Sequence, residues 1–453
     1  MISYPPGERS GVVDVIRVML TGQEFDMLAF AKAIQEQYGT FSFTKFGWIE
    51  FYTISDPELM NEILVQRPEA FYKLNLIKYA LGPFLGNGLL TSEGDFWKRQ
   101  RKLSQPAFHA RRIENYADTM VAFTANMLEG WRDGETRRLD REMMKLTLNI
   151  VAKTLFDADV SHDADRVGEL LTNILEASND RINSPVRLPD WLPTAANNRM
   201  HRDIAELDAI LQRFIDDRRR SNEDRGDLLS MLLLAQDEDG TAMKDQQLRD
   251  EAMTIFLAGH ETTAMAMTWA WYLISQHPDV LAKLQAETDA VLGDRPATMR
   301  DLAQLPYNEM VIKEAMRLYP PAPSVGRQPV EDIELGGYTI RKGAIVNLSI
   351  YAMHHNPAIY EDAESFVPER FSAEREKLIP RHAYLPFGGG PRVCIGNSFA
   401  MMEARLLLAT MVQQVELKLV PGQTIVPRQL VTTRPAHGME MQIKLRTPEC
   451  ILE

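Results

Sequence analysis

The stretch Phe387-Gly388-Gly389-Gly390-Pro391-Arg392-Val393-Cys394-Ile395-Gly396 decides the reading of this chain. Glycines crowd one side of Cys394, and a helical pattern starts at Asn397 and runs through Glu403, Leu406 and Leu407 to Gln414. A thiolate at Cys394 would therefore sit near a helix N-terminus, where free N–H groups and the dipole stabilise negative charge and lower a thiol pKa. Glycines let backbone N–H groups approach the sulfur and leave space beside it for a flat ligand. Such a thiolate suits a haem iron as axial ligand. Three glycines before a helix could instead cradle phosphate, but that fingerprint needs a preceding strand and an acidic residue about 20 positions on. Pro386 and Pro391 argue against a strand feeding the loop. Taken alone, a single cysteine is most often a small buried hydrophobe, and Cys450, without such surroundings, keeps that reading.

Composition narrows the field. The chain has 453 residues, 45% hydrophobic and 25% charged, which is ordinary for a folded globular protein. Lys plus Arg is 50 and Asp plus Glu is 63, a net charge of −13. That balance argues against nucleic acid as a partner, because phosphate binding needs a basic surface. Two cysteines cannot build a disulfide framework. The apolar piece at 12–20 is broken by Asp14 and Arg17 and lacks a cleavage site, and no run reaches the roughly 20 apolar residues of a membrane span. The closest, 252–274, is interrupted by His260 and Glu261. A cytoplasmic protein without a transmembrane anchor is expected.

Helical periodicity without internal proline marks 113–131, 141–156, 166–177, 205–220 and 250–276. Alternating β-rich residues mark 40–54 and 338–348. The fold class expected is mainly α with a small β-sheet subdomain, the sheet drawn from about 40–70 and 325–350. Strands so far apart must meet in space, so one interleaved catalytic domain over 1–453, with a tail at 446–453, fits better than a string of modules.

Further motifs agree with the cysteine loop. Phe387, Gly390, Arg392, Cys394 and Gly396 resemble the haem-binding signature of the cytochrome P-450 family, and the resemblance runs from about Tyr38 to Arg446. Glu314 and Arg317, three apart on one helix face, match its Glu-x-x-Arg, although such a pair alone is commonplace on a surface. Arg370, in Pro368-Glu-Arg-Phe371, matches the third member of a buried ion network that holds the loop before the cysteine. The segment from His354 resembles the one that precedes this motif, with Tyr360 where the family often has Trp. Ala258-Gly259-His260-Glu261-Thr262-Thr263 resembles the oxygen-activation segment, although a helix with Glu261 facing solvent explains it equally well when it is read alone. Gly259 costs helix stability and threonine hydroxyls compete for backbone carbonyls, so a local distortion there would open a groove beside a ligand. His260 is assigned a side role rather than metal ligation.

The resemblance implies the rest. Haem b (iron protoporphyrin IX) would lie between the long central helix and the cysteine-loop helix, with Cys394 as the iron ligand. Ala258 would lie over its distal face, Thr262 would hydrogen-bond bound O2, and Glu261 would relay protons from solvent. Trp97, Arg101, Arg327 and Arg392 match propionate contacts, Phe387 packs near the thiolate, and Gly396 completes the loop. Leu89, Leu90, Ala258, Thr262, Val325 and Leu430 would meet an apolar substrate, a fatty acid, terpene or steroid. The pattern looks closest to the fatty-acid hydroxylase branch. The implied reaction is hydroxylation with one oxygen atom of O2. Electrons would come from NAD(P)H through a ferredoxin or flavodoxin with its reductase, docking a monomer at a basic patch of Lys98, Arg99, Lys102, Arg111, Arg112 and Arg381. A peroxide-driven hydroxylase and a non-catalytic haem sensor are the alternatives.

Overall fold

A computed structural model describes residues 3–10, 26–47, 49–158, 164–184, 188–221, 223, 225–236 and 240–446. The apolar piece at 12–20, the tail beyond Arg446 and Cys450 lie outside them. Eight helices position the site: α1 Asn75–Leu85, α2 Gly94–Ser104, α3 Leu139–Phe156, α4 Ala164–Asn183, α5 Ala195–Ser221, α6 Asp245–Gln276, α7 Pro306–Leu318 and α8 Asn397–Gln414. The mainly helical architecture with small sheets agrees with the sequence reading. Helix α5 starts ten residues before the 205–220 segment, because its polar first turns (Arg199, His201, Arg202) hide the periodicity. The segment 113–131 opens with a 3-10 turn at Glu114–Tyr116 before the helix Ala117–Glu129.

Helix α6 is the axis. Its 32 residues carry no proline and span about 48 Å. Ile255, Phe256, Leu257, Ala264, Met265 and Met267 are buried on successive faces, as in a helix packed on all sides. A Cβ on Gly259 would stand 3.0 Å from Val151 Cγ2 of α3. The glycine therefore serves helix–helix contact. α6 is α-helical through 258–263, and the Thr262 hydroxyl competes for the Ala258 carbonyl at 2.9 Å. Thr147 of α3 donates its hydroxyl to the His260 carbonyl at 2.9 Å, a further tie between the two helices.

The principal sheet contains six strands: β1 Gly7–Ser10, β2 Phe41–Phe46, β3 Ile49–Ile54, β4 Phe71–Lys73, β5 Ser324–Pro329 and β6 Ile345–Ser349. β3 runs parallel to β6, with Phe51 opposite Ile345 and Ile54 opposite Leu348. The two distant stretches thus meet as the alternation required. Phe43, Tyr52, Ile54, Val346 and Leu348 form the core of the sheet, separate from the larger helical core. β4 pairs with β5 and sets Lys73 opposite Arg327.

Beneath the cysteine loop lies a buried ion network. Arg317 gives Nε and Nη2 to the two Glu314 oxygens at 2.7 and 2.8 Å. Its remaining donors reach the carbonyls of His354, Ala363 and Ser365 at 2.8, 2.7 and 3.0 Å. All five guanidinium N–H groups are thereby satisfied. Arg370 Nε and the Val367 N–H add bonds to Glu314 Oε1 at 3.2 and 3.0 Å. Tyr360 lies under the Arg317 guanidinium and donates to the Ala383 carbonyl at 2.9 Å. Arg317→Ala would leave the buried Glu314 carboxylate with only Arg370 and the Val367 N–H as partners, both on Oε1. Urea unfolding is expected to show a loss of about 3–5 kcal/mol. Arg317→Lys, which keeps the charge but not the fork, is expected to recover only part of it.

Candidate active site

The loop from Leu385 to Gly396 is shaped by its glycines. Gly388 and Gly390 adopt φ of 71° and 67°. A Cβ on Gly390 would stand 1.8 Å from the Leu64 carbonyl oxygen. The Cys394 N–H donates to the Phe387 carbonyl at 2.9 Å, and Gly388 N–H to that of Leu385 at 3.0 Å. The turn so formed leaves Cys394 accessible just ahead of α8. Surrounding protein pushes its thiol pKa up, against the lowering expected from the helix terminus, while the Gly396 N–H and Arg101 pull the other way.

A second opening lies on α6. Between Ala252 and Ala264 only Ala258, Gly259 and Thr262 are not buried. Thr262 donates its hydroxyl to the Ala258 carbonyl at 2.9 Å and keeps lone pairs free to accept. His260 points into protein, and burial holds its imidazole down at about 4, so it is neutral. Glu261 is buried rather than solvent-facing. Its Oε1 accepts from Arg434 Nε and Nη2 at 2.9 and 2.6 Å and from the Thr432 hydroxyl. These partners come from the hairpin Pro427–Gln429/Thr433–Pro435, which Trp269 Nε1 pins through the Thr433 carbonyl at 2.8 Å. Leu430 is buried at the hairpin tip. Val325 lies opposite Leu348 in the sheet.

Cations gather near the cysteine loop. Arg392 stacks on Trp97 at 4.1 Å, donates to the Ser92 carbonyl at 3.1 Å and pairs with Glu93. Arg101 reaches the Val393 carbonyl at 2.6 Å, next to the cysteine. The Arg327 guanidinium donates to the Gly326 carbonyl at 3.0 Å. Burial and the Arg392 charge push its guanidinium down to about 10. Lys73 belongs to the same group. Burial, with Arg392 and Arg327 nearby, pushes its ammonium down to about 7. Sequence reasoning missed Lys73 and Glu93, which lie outside every motif and join the group only through the β4–β5 pairing and the α2 N-terminus.

Residues 5–440 match the family described as Cytochrome P450. The chain belongs to the cytochrome P450 family. Cyclooctatin synthase of Streptomyces melanosporofaciens is 40% identical to this P450 over 82% of each chain. Pentalenene oxygenase of Streptomyces avermitilis is 33% identical over 89% of this chain and 90% of its own length. The cytochrome P450DA heme domain superposes with a TM-score of 0.89 at 26% identity, covering 99% of both chains. Retinoic acid-bound cyanobacterial CYP120A1 gives 0.85 at 25% identity over 98% of this chain and 100% of that one.

This P450 is a haem-thiolate monooxygenase, and its residues suit the group. The accessible Cys394 thiol would bind iron. Arg327, Arg392 and Lys73 lie close together, with Glu93 paired to Arg392, and would suit added anions such as propionates. Among the described residues no helix is long and apolar enough to cross a membrane.

Behind the site, Glu403 of α8 is fully buried near Thr263 of α6. Burial pushes its carboxyl up to about 8. Glu251 is also pushed up to about 8 by burial. For a raised carboxyl the folded state holds its proton longer than the unfolded chain, so its stability contribution is lost as pH rises through the folded pKa. Compared with the wild type, Glu403→Gln is expected to lose less stability between about pH 5 and about pH 8 in thermal melts, because His260 and Lys73, whose lowered pKa values act in the opposite sense, are common to both proteins.

Proposed function

We propose that this P450 hydroxylates a terpenoid, with haem b bound to Cys394 and electrons supplied by a ferredoxin or flavodoxin and its NAD(P)H-dependent reductase. The accessible cysteine in its glycine turn, beside a cluster of three cations with one paired carboxylate, carries the cofactor part of the reading. The relatives carry the substrate class: their names describe a cyclooctatin synthase, a cyclooctat-9-en-7-ol 5-monooxygenase and a pentalenene oxygenase. Among the three expected classes this favours a terpene over a fatty acid or a steroid. The aliphatic Leu89, Leu90, Val325 and Leu430 would bind it by burial rather than by hydrogen bonds.

The haem would supply oxygen activation, and the chain would supply order. Thr262, with its proton turned to the Ala258 carbonyl, presents lone pairs toward the open patch of α6. Glu261 is the adjacent acid, and Arg434 and Thr432 hold its carboxylate. A proton relay through Glu261 therefore requires those contacts to exchange. Phe387, Trp97, Arg101, Arg327, Arg392 and Gly396 would fix the cofactor, while Glu314, Arg317 and Arg370 fix the loop. We read the protein as a cytoplasmic monomer.

Reduced protein with carbon monoxide is expected to give the red-shifted Soret band of a thiolate ligand, and Cys394→Ala to lose it. A histidine-type band in the wild type would overturn the assignment. A cyclic terpene hydrocarbon is expected to convert the resting spectrum to high spin and to yield a hydroxylated product; a fatty acid doing so instead would overturn the substrate class.

For the redox partner, Lys98 and Lys102 are exposed on α2, and Lys98 pairs with Asp95. Arg112 is tied to the Gly226 carbonyl at 3.1 Å, and the Arg111 side chain lies outside the described residues. Reversing Lys98 and Lys102 to Glu is expected to slow reduction by an acidic ferredoxin about tenfold at low salt and to flatten its salt dependence in stopped-flow. An unchanged rate would remove this face as the docking site.

A further inference from the structure

The loop between α1 and α2 is held from two sides. On one side, the Leu89 N–H donates to Glu251 Oε2 of α6 at 3.0 Å, and the Asn87 N–H to Asp250 Oδ2 at 2.8 Å. On the other, the Lys73 ammonium donates to the Leu89 and Leu90 carbonyls at 2.9 and 2.6 Å. The loop also lies tight on α6. A Cβ on Gly86, where φ is 56°, would stand 2.2 Å from the Asp250 carboxylate, and one on Gly88 would stand 2.1 Å from Thr254 Oγ1. Only glycine permits this approach.

Glu251 is an unusual anchor. It is fully buried, and its second carboxyl oxygen has no hydrogen-bond partner among the described residues. A buried carboxyl with half of its capacity unused destabilises the fold, so packing does not account for it. Its place on the helix suggests a use. Ala258 and Thr262 follow it by seven and eleven residues, which puts all three within about 20° of one line along α6. The open patch at Ala258 begins about 10 Å along the helix from the residue that holds the loop. Leu90, carried by the same loop, is 37% exposed.

We propose that Glu251 is a positioning residue for substrate selection: by holding the Leu89 N–H against α6 it fixes the Leu89–Leu90 loop as the end wall of the cavity over Ala258 and Thr262. This rests on the reading that a ligand of the haem occupies that cavity. Glu251 touches no substrate itself. It sets how far the aliphatic wall stands from the reacting space, and Lys73 fixes the outer side of the same wall.

The test separates wall from cofactor with two iron-binding probes of different size. Imidazole is too small to meet the wall, whereas 4-phenylimidazole extends into the cavity. Holoenzyme, Glu251→Ala and Glu251→Gln are titrated with each, following the Soret shift. Glu251→Ala is expected to change the 4-phenylimidazole Kd about tenfold while leaving imidazole within about twofold, the scale of one lost buried hydrogen bond. Glu251→Gln keeps an acceptor for the Leu89 N–H and is expected to restore both. Gly88→Ala, which pushes the same loop off Thr254 without touching the carboxyl, is expected to reproduce the Glu251→Ala pattern and carries the test if that variant fails to take up haem. The proposal is overturned if the two probes move together, or if neither moves in a variant whose carbon monoxide band matches the wild type. A wild type without a thiolate band would instead overturn the reading of Cys394.

Discussion

Everything at the active site hangs on the buried Arg317 guanidinium. Two charges removed from water carry a desolvation cost that their attraction repays only when the remaining hydrogen bonds are made. Here they are, since Arg317 satisfies Glu314 and three carbonyls, and Glu314 also takes Arg370 and the Val367 N–H. From this knot the order passes to the cysteine. Buried His354 sets Nδ1 against the Arg317 carbonyl at 3.2 Å and accepts the Leu385 N–H at Nε2 at 3.1 Å. That pattern fixes the neutral tautomer with its proton on Nδ1. Burial and the adjacent Arg317 charge hold the ring well below the usual histidine range, consistent with that neutral form. Leu385 opens the turn whose far end is Cys394. A rigid ionic core thus becomes a fixed sulfur position through one imidazole and a glycine turn.

Charge is partitioned around this frame. The chain is acidic overall, yet several cations gather around Trp97 and the cysteine loop, where burial, and after it their mutual repulsion, depresses Lys73 and Arg327. Carboxyls sink into the helical core instead, where Glu251 and Glu403 hold protons to about pH 8. The two groups meet at one loop, where Lys73 holds the Leu89 carbonyl and Glu251 its N–H, while Glu93 pairs with Arg392.

The elements legible in the sequence are those whose signal is local. Helix α6 shows its period, the cysteine turn shows its glycines, and Glu314 and Arg317 share one helix face. The β2–β3 and β6 stretches alternate. What the sequence hides is long-range. The Leu89–Glu251 bond spans 162 residues and the Arg434–Glu261 pair spans 173. Read alone, Glu251, Glu261 and Arg434 do not differ from ordinary surface charges, and the Leu89 N–H carries no sequence signal at all. Gly259 was legible as unusual but not as to cause, because its reason is Val151 on another helix. The solvent-facing alternative for Glu261 fails on the same ground: its partner lies on a hairpin near the far end of the chain.

Helix α6 then acts as a partition rather than as a row of site residues. Successive residues turn by about 100°. Neighbours in sequence therefore meet different surroundings. Thr262 looks to the open patch, while Thr263 is buried toward Glu403 of α8. Glu261 turns to the hairpin and Arg434. The Glu-Thr-Thr run thus meets three surroundings: Glu261 is fixed by the hairpin, Thr262 bonds back to the Ala258 carbonyl of its own helix, and Thr263 is buried near α8. The hairpin and the loop after α1 touch α6 on either side of Ala258, one through Glu261 and one through Glu251. Both proposed boundaries of the cavity are therefore referenced to one helix, and a bend at Gly259 would shift the two walls against each other.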